Sequence, residues 1–406
     1  MIIAIYGIPR SGKDTFINEL LNRKSNAFHV KGSELLNELS FKLFNCKFRQ
    51  LDNNKQEVLR IEFTKQVKAL ESKFDLIVVD GHYSFPSSDG FKTVFTKSDL
   101  ELYDAFFYLK RNGEEIIRNF NSDSKKDYSE YLLSKEKSEE WIEYEIRNMQ
   151  NVVENNDKDF IVLDSDSASF DFVCNFRQTS SSIANDIAKD IKRTANGKNI
   201  VLADLDKTIS IDDLTNDFIE RSNLNPLFPK IVFKGDYYTP YQFYRFHNYL
   251  LDSTNYNDSI QYSLDKMVLN NSLVNDLFNL KKNSCIVAIT TGMVDAWQIK
   301  NNSLKLFDKI YGFTKTKKVI VTPLIKRLIA KFLSSSEKVM AIGDSIIDLG
   351  MIFEANKGYL VSMKKLDKRI VSAYESGMIQ KTVFQPHYST FKYNFAKEEE
   401  IKWWLY

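Results

Sequence analysis

Short apolar runs, mostly β-branched or aromatic, recur along the chain between longer stretches of helical spacing. In the first part they cover residues 2–6, 27–30, 76–79, 105–109 and 160–163, and helical spacing fills gaps such as 15–22 and 114–119. Unbroken apolar runs of this length suit strands buried on both faces. Their alternation with helices predicts βαβ units around a parallel sheet. The alternation breaks at Asp164-Ser165-Asp166-Ser167-Ala168-Ser169, and a Ser-rich helix is predicted over 180–192. A second series follows at 199–203, 286–289, 319–321 and 339–342. Between its first two runs, residues 211–280 are rich in Phe, Tyr, Asn and Leu, which predicts a mostly helical insertion. The fold class is α/β with two domains, 1–165 and 198–375, joined by a linker helix within 166–197. The tail, 376–406, ends Trp403-Trp404-Leu405-Tyr406 and is expected to pack on the second domain. The charged segment 134–145 reads as a solvated helix face.

Composition narrows the function classes. A chain of 406 residues with 43% hydrophobic content supports two or three ordinary cores. The 56 basic and 54 acidic residues nearly cancel, so the strong basic excess of a chain that lives on nucleic acid is absent. A local basic groove, and with it a nucleic-acid partner, stays open but is not favoured. Cys46, Cys174 and Cys285 are far apart and form no CxxC pair, which fits a reduced intracellular protein. No stretch approaches the roughly 20 apolar residues that cross a bilayer, and 2–6 is too short for a signal-peptide core. The expectation is a soluble, cytoplasmic protein with no membrane partner.

The first candidate chemistry is Gly7-Ile8-Pro9-Arg10-Ser11-Gly12-Lys13, between an apolar strand and a helical pattern. That is the context a P-loop requires. Gly7, Ser11 and Gly12 belong to a loop whose backbone N–H groups converge on phosphate oxygens, with the helix N-terminus behind them. Lys13 reaches the β and γ phosphates of ATP or GTP. Asp14 stands where the motif usually has Ser or Thr; Thr15 follows and is a candidate for the hydroxyl's structural or Mg²⁺-side role. Asp80 ends the run 76–79, at the crevice where open α/β sheets bind ligands. It either completes a Mg²⁺ shell or acts on the acceptor. His82, in the turn Asp80-Gly81-His82-Tyr83, reads as a turn residue, with substrate contact as the alternative.

Residues 1–165 resemble the nucleoside-monophosphate-kinase group of P-loop kinases. The likeness rests on Gly12-Lys13-Asp14-Thr15, on His29-Val30-Lys31-Gly32-Ser33-Glu34-Leu35-Leu36, and on Tyr108-Leu109-Lys110 followed by Glu114-Glu115-Ile116-Ile117-Arg118. It implies a lid in which Arg118 and Lys125 or Lys126 neutralise the transferring phosphate.

The second candidate is Asp204-Leu205-Asp206-Lys207-Thr208, just past the run 199–203. Carboxylates at i and i+2 beyond a strand can share one edge, one attacking phosphorus and the other handling the leaving group's proton. Thr290-Thr291-Gly292 offers a hydroxyl and backbone N–H groups to phosphoryl oxygens. Lys326 can balance charge, with Lys317, Lys318 and Lys331 as competitors. Gly343-Asp344-Ser345-Ile346-Ile347-Asp348 supplies carboxylates for a hard cation. These residues resemble the phosphoserine-phosphatase-like branch of the haloacid-dehalogenase superfamily. The resemblance implies a Rossmann-like core with a helical cap at 211–280. It makes Asp204 nucleophile and Asp206 general acid/base, and gives phosphate to Thr291, Gly292 and Lys326. It implies Mg²⁺ at Asp204, Asp206, Asp344 and Asp348, and a substrate contact at Asp213.

The leading expectation is an ATP-dependent kinase of a small molecule or nucleotide joined to a Mg²⁺-dependent phosphomonoesterase. One alternative is a polynucleotide 5′-kinase and 3′-phosphatase. Another is a phosphatase regulated by a non-catalytic nucleotide-binding domain.

Overall fold

A computed structural model describes residues 1–124, 127–164, 166–235, 237–316, 319–361, 370 and 383–385. The chain divides into two compact units, Met1–Thr179 and Ser180–Tyr406.

The first unit is a parallel five-stranded sheet flanked by helices. Its strands are β1 (Ile2–Tyr6), β2 (Ala27–Lys31), β3 (Leu76–Asp80), β6 (Ala105–Leu109) and β7 (Asp159–Leu163), in the order β2-β3-β1-β6-β7. β1, β6 and β7 are buried throughout, as their unbroken apolar runs require. A small antiparallel hairpin, β4 (Ser84–Ser87) with β5 (Gly90–Thr93), stands outside this sheet. The chain lays β2 and β3 on one side of β1 and β6 and β7 on the other. The order therefore reverses at the carboxyl end of β1, where such sheets open a ligand crevice. The loop of residues 7–12 begins there.

The segment 134–145 differs from its expectation. It opens the helix Lys135–Asn155, on which Ser138, Trp141, Ile142 and Glu145 are buried. Trp141, Ile142, Ile146 and Met149 form an inward stripe at helical spacing, and that stripe carries Glu145 inside. There Glu145 accepts hydrogen bonds from the Ser84 backbone (2.8 Å), the Ser84 hydroxyl (2.9 Å) and the Tyr108 hydroxyl (2.9 Å). A buried carboxylate needs such partners.

The second unit carries a parallel six-stranded sheet, with β8 (Asn199–Ala203), β9 (Ser284–Met293), β10 (Lys309–Phe313), β11 (Val339–Gly343), β12 (Lys357–Val361) and β13 (Val383–Gln385). Its order, β10-β9-β8-β11-β12-β13, reverses at the carboxyl end of β8. Between β8 and β9 run the helices Leu214–Arg221, Phe228–Val232, Pro240–Leu251, Tyr256–Lys266 and Asn271–Lys281.

Two expectations fail here. Residues 319–321 are not a strand. Val321 is buried in the core, but Thr322 then caps the helix Pro323–Ser334 by accepting from the Ile325 N–H at 3.2 Å, with Pro323 at the helix start. Capping and proline outweigh the strand preference of Val319-Ile320-Val321. The strand is instead β10, whose glycine and half-exposed edge weaken its signal. Nor is 166–197 a linker helix. It holds the helix Ser167–Asn175 of the first unit and the helix Ser180–Ala195 of the second. The latter buries Ala184, Ile187, Ala188, Ile191 and Ala195 in the core shared with Ile325, Leu328 and Ile329. Apart from β13, the tail 376–406 lies outside the described residues, as do Lys125, Lys126, Lys317 and Lys318. Among the described residues, no helix is long and apolar enough to cross a membrane.

This packing predicts where the second unit can be cut. A fragment of residues 180–406 should unfold cooperatively. One starting at 198 loses the buried Ile187, Ile191 and three alanines, about 5 kcal/mol of apolar burial, and should melt about 10 °C or more lower. Calorimetry on the two fragments checks this; equal melting temperatures would contradict it.

Candidate active sites

In the first unit the loop after β1 turns through Gly12, which caps the helix Lys13–Arg23 in the left-handed conformation (φ 80°). The Ser11 hydroxyl is buried without a hydrogen-bond partner, an atom that a phosphate oxygen would satisfy. The buried Lys13 ammonium donates to the carbonyls of Gly7 (2.6 Å) and Ile8 (3.2 Å) and to His82 Nε2 (3.3 Å). Burial lowers its pKa to about 8, although Asp80, Glu145 and Asp14 oppose the shift. An anion would restore the charge. His82 itself is held well below its usual pKa by burial and by Lys13.

Asp80 Oδ1 accepts from His29 Nε2 (3.2 Å) and the Gly32 N–H (3.0 Å). Asp14, His29 and Asp80 bring ligand atoms within 4.8 Å of one another and, among the described residues, form the group in this unit that could hold a cation. Thr15 is exposed. Arg118 is exposed too; the arginine that touches the loop is Arg111, whose Nε donates to the Ser11 carbonyl at 3.0 Å. Beside His82 opens a cavity of about 710 Å³. Phe48, Arg49, Arg60, Phe85, Asp99 and Tyr128 line it. Arg60 meets Asp99 at 3.4 Å, and the Arg49 guanidinium lies 4.9 Å from the Phe85 ring centre.

In the second unit the ends of β8 and β11 lie side by side, since the two strands pair from Val339 with Ile200 to Ile342 with Ala203. Asp204 follows β8; Asp344 and Asp348 follow β11. Lys326, 1% exposed, enters from the helix Pro323–Ser334 and donates to Asp204 Oδ1 (2.6 Å) and Asp348 Oδ1 (2.7 Å). Of the two candidate lysines among the described residues, Lys326 is the one brought to the site, while Lys331 is exposed. Gly343 permits the close approach, because a Cβ there would lie 2.4 Å from that of Asp348. Asp344 accepts from the Thr208 hydroxyl at 3.2 Å.

Asp204, Asp344 and Asp348 place ligand oxygens within 4.8 Å of one another. One ammonium among three carboxylates leaves the cluster short of positive charge. Burial raises Asp204 to about 6, with Lys326 opposing and Asp348 adding. Burial, then Asp348 and Asp204, hold Asp344 well above the usual carboxylate range. An all-oxygen set with surplus negative charge fits Mg²⁺.

Asp206 is half-buried beside this cluster. Its Oδ1 accepts from the Trp297 indole N–H (2.9 Å), and Thr215 Oγ1 lies 3.4 Å from Oδ2. Asp206 therefore meets these donors and is not in the carboxylate group that could hold the ion. Burial and the Asp213 carboxylate push its pKa well up, against the Trp297 hydrogen bond. Asp213 caps the helix Leu214–Arg221 and pairs with Lys207 at 2.7 Å. Thr290, Thr291 and Gly292 end β9. The Thr291 carbonyl accepts from His247 Nε2 at 2.9 Å, and Thr290 Oγ1 accepts from the Gly292 N–H at 3.2 Å. Trp297, Thr215, His247 and Arg111 were not singled out by sequence. Nothing in their surroundings distinguishes them from ordinary core or loop residues.

Residues 6–135 match a family model described as an AAA domain. No curated protein matches the chain. Among solved structures the chain is similar to a phospho-aspartyl intermediate analogue of phosphoserine phosphatase (15% identity, 44% of this chain and 98% of that one, TM-score 0.34). It is also similar to a probable phosphoserine phosphatase from Vibrio cholerae (14% identity, 45% and 60%, TM-score 0.34). A third is the Pnkp1/Rnl/Hen1 RNA repair complex (13% identity, 86% and 91%, TM-score 0.24). At these values the chemistry has to be read from the side chains themselves.

Metal binding should follow pH. With its pKa raised to about 6, metal-free Asp204 keeps its proton at pH 5 and has lost it at pH 7.5. A cation must displace that proton at the lower pH. Saturating Mg²⁺ should therefore raise the melting temperature more at pH 7.5 than at pH 5. Equal shifts at both would contradict the assignment.

Proposed function

We propose that the chain is a bifunctional phosphoryl-transfer enzyme. Its second unit hydrolyses phosphomonoesters through an aspartyl-phosphate, and its first transfers phosphoryl groups from ATP or GTP to a small acceptor. The observation that carries this reading is the buried Lys326 bridging Asp204 and Asp348, with Asp206 alongside. Asp204 forms a bond to phosphorus as the bond to the leaving oxygen breaks, and Asp206 gives that oxygen a proton. Water then attacks phosphorus, its proton passes to Asp206, and Asp204 is released. Lys326 balances the charge on Asp204. Thr291, with the Gly292 N–H, receives phosphoryl oxygens. Asp204, Asp344 and Asp348 would hold Mg²⁺, which draws charge from the phosphoryl group and eases the approach of two anions.

In the first unit Lys13 and the loop amides hold the donor phosphates, while Asp14, His29 and Asp80 would hold the accompanying cation. The acceptor is assigned to the cavity beside His82. Its volume, about 710 Å³, lies within the range of small-molecule sites, roughly 300–1,000 Å³. Aromatic faces suit a planar ring, and Arg49 and Arg60 suit an anionic group. A small phosphorylated metabolite or nucleotide meets both demands.

Lys13→Ala should abolish transfer and weaken triphosphate binding about tenfold or more, with phosphatase activity unchanged. Calorimetry and assays on mononucleotides, phosphorylated metabolites and 5′-hydroxyl oligonucleotides check this. Transfer to oligonucleotides alone would establish end-healing instead. Triphosphate binding with transfer to no acceptor would make the first unit regulatory.

A further inference from the structure

Asp206 is held by a contact that its chemistry alone does not demand. Trp297 is fully buried on the helix Asp295–Leu304, and its Nε1–H donates to Asp206 Oδ1 at 2.9 Å. That helix is tied down at its start, where Asp295 accepts from the Tyr256 hydroxyl (3.1 Å) and the Lys315 N–H (3.3 Å). The indole also packs edge-on against Phe307, with ring centres 6.4 Å apart. It is therefore a fixed donor. An indole N–H can only donate, so Oδ1 is committed as acceptor.

The other oxygen faces a gap. A Cβ placed on Gly292 would lie 3.6 Å from Asp206 Oδ2 and 3.1 Å from Thr215 Oγ1. The missing side chain thus leaves room beside Oδ2, in the loop assigned to the phosphoryl group. A carboxyl turns readily about its last bond, whose torsional profile is broad and two-fold. Thr215 Oγ1 reaches Oδ2 only at 3.4 Å, so without the indole Asp206 would present either oxygen, or neither, to that gap.

We propose that Trp297 is a positioning residue for the phosphatase reaction. It locks the Asp206 carboxyl in one rotation, so that Oδ2, beside the space left by Gly292, is the oxygen that exchanges a proton with the leaving group. This rests on the reading of Asp206 as general acid/base. In the first step the Asp204–phosphorus bond forms, the bond to the leaving oxygen breaks, and the proton on Oδ2 passes to that oxygen. In the second, water bonds to phosphorus, the Asp204–phosphorus bond breaks, and Oδ2 takes the water's proton. Trp297 touches none of the reacting atoms.

The consequence depends on the leaving group. p-Nitrophenolate departs without a proton, whereas an alkoxide does not. The experiment is rapid-quench measurement of phosphoenzyme formation by the full chain with Mg²⁺, using aryl phosphates of graded leaving-group pKa and 2-phosphoglycerol. Trp297→Phe keeps an aromatic ring and removes the N–H. It should form phosphoenzyme about 10–100-fold more slowly from 2-phosphoglycerol, a fraction of the 10²–10⁴-fold worth of a general acid. With p-nitrophenyl phosphate it should stay within about twofold of the parent chain. Replacing Trp297 by benzothienylalanine, an isostere with sulfur in place of N–H, should do the same and serves if the phenylalanine variant misfolds. Asp206→Asn runs in parallel. If it steepens the leaving-group dependence and neither Trp297 replacement does, the positioning role is overturned while the general acid stands. If Asp206→Asn itself keeps the parent slope, the acid/base reading fails.

Discussion

The second unit is organised around one buried ammonium. Lys326 is taken out of water between Asp204 and Asp348, both also buried. Each desolvated charge costs several kcal/mol unless its partners are close and well aligned. That demand reaches far into the fold. β8 and β11 must pair in register, Gly343 must lack a side chain, and the helix carrying Lys326 must start where the Thr322 cap and Pro323 place it. With Asp344 added, three carboxyl groups share one ammonium, and burial with Asp348 and Asp204 holds Asp344 well above the usual carboxylate range. A fold seeking stability alone would have no reason to gather these groups, whereas a site for a divalent cation and a phosphoryl group does.

The first unit meets a similar constraint with opposite sign. Lys13 is buried against carbonyl oxygens, the Ser11 hydroxyl has no partner, and burial brings the ammonium down to about 8. Both sites lie at the carboxyl end of the strand where the sheet order reverses. Neighbouring connections diverge there and leave a crevice. Helix starts and strand ends then aim polar groups into it without disturbing the core.

Legibility in the sequence followed distance along the chain. The loop of residues 7–13 and the pair Asp204 and Asp206 are contiguous, and each follows an unbroken apolar run, so strand, turn and chemistry could be read together. Lys326 lies 122 residues from Asp204, and only the register of its helix separates it from the exposed Lys331. Arg118 was the arginine the sequence pointed to, and only backbone geometry brings Arg111, seven residues earlier, onto the loop. Trp297 was invisible because a buried tryptophan reads as core, and its N–H matters only through where it points. The strand β10 escaped notice because edge strands are half exposed. Residues 319–321 misled because β-branched side chains bury equally well in a loop that leads into a capped helix. The Ser-rich helix before β8 was placed correctly, but its apolar stripe assigns it to the second unit's core instead of to a linker.

The central claim is that Asp204 carries the phosphoryl group. The most direct measurement is a single turnover with a ³²P-labelled phosphomonoester and Mg²⁺, quenched in acid and mapped by peptide mass spectrometry. The account predicts an acid-stable, base-labile acyl-phosphate on Asp204 that Asp204→Asn abolishes while the chain stays folded. Label on another residue, or full turnover by Asp204→Asn, would contradict it.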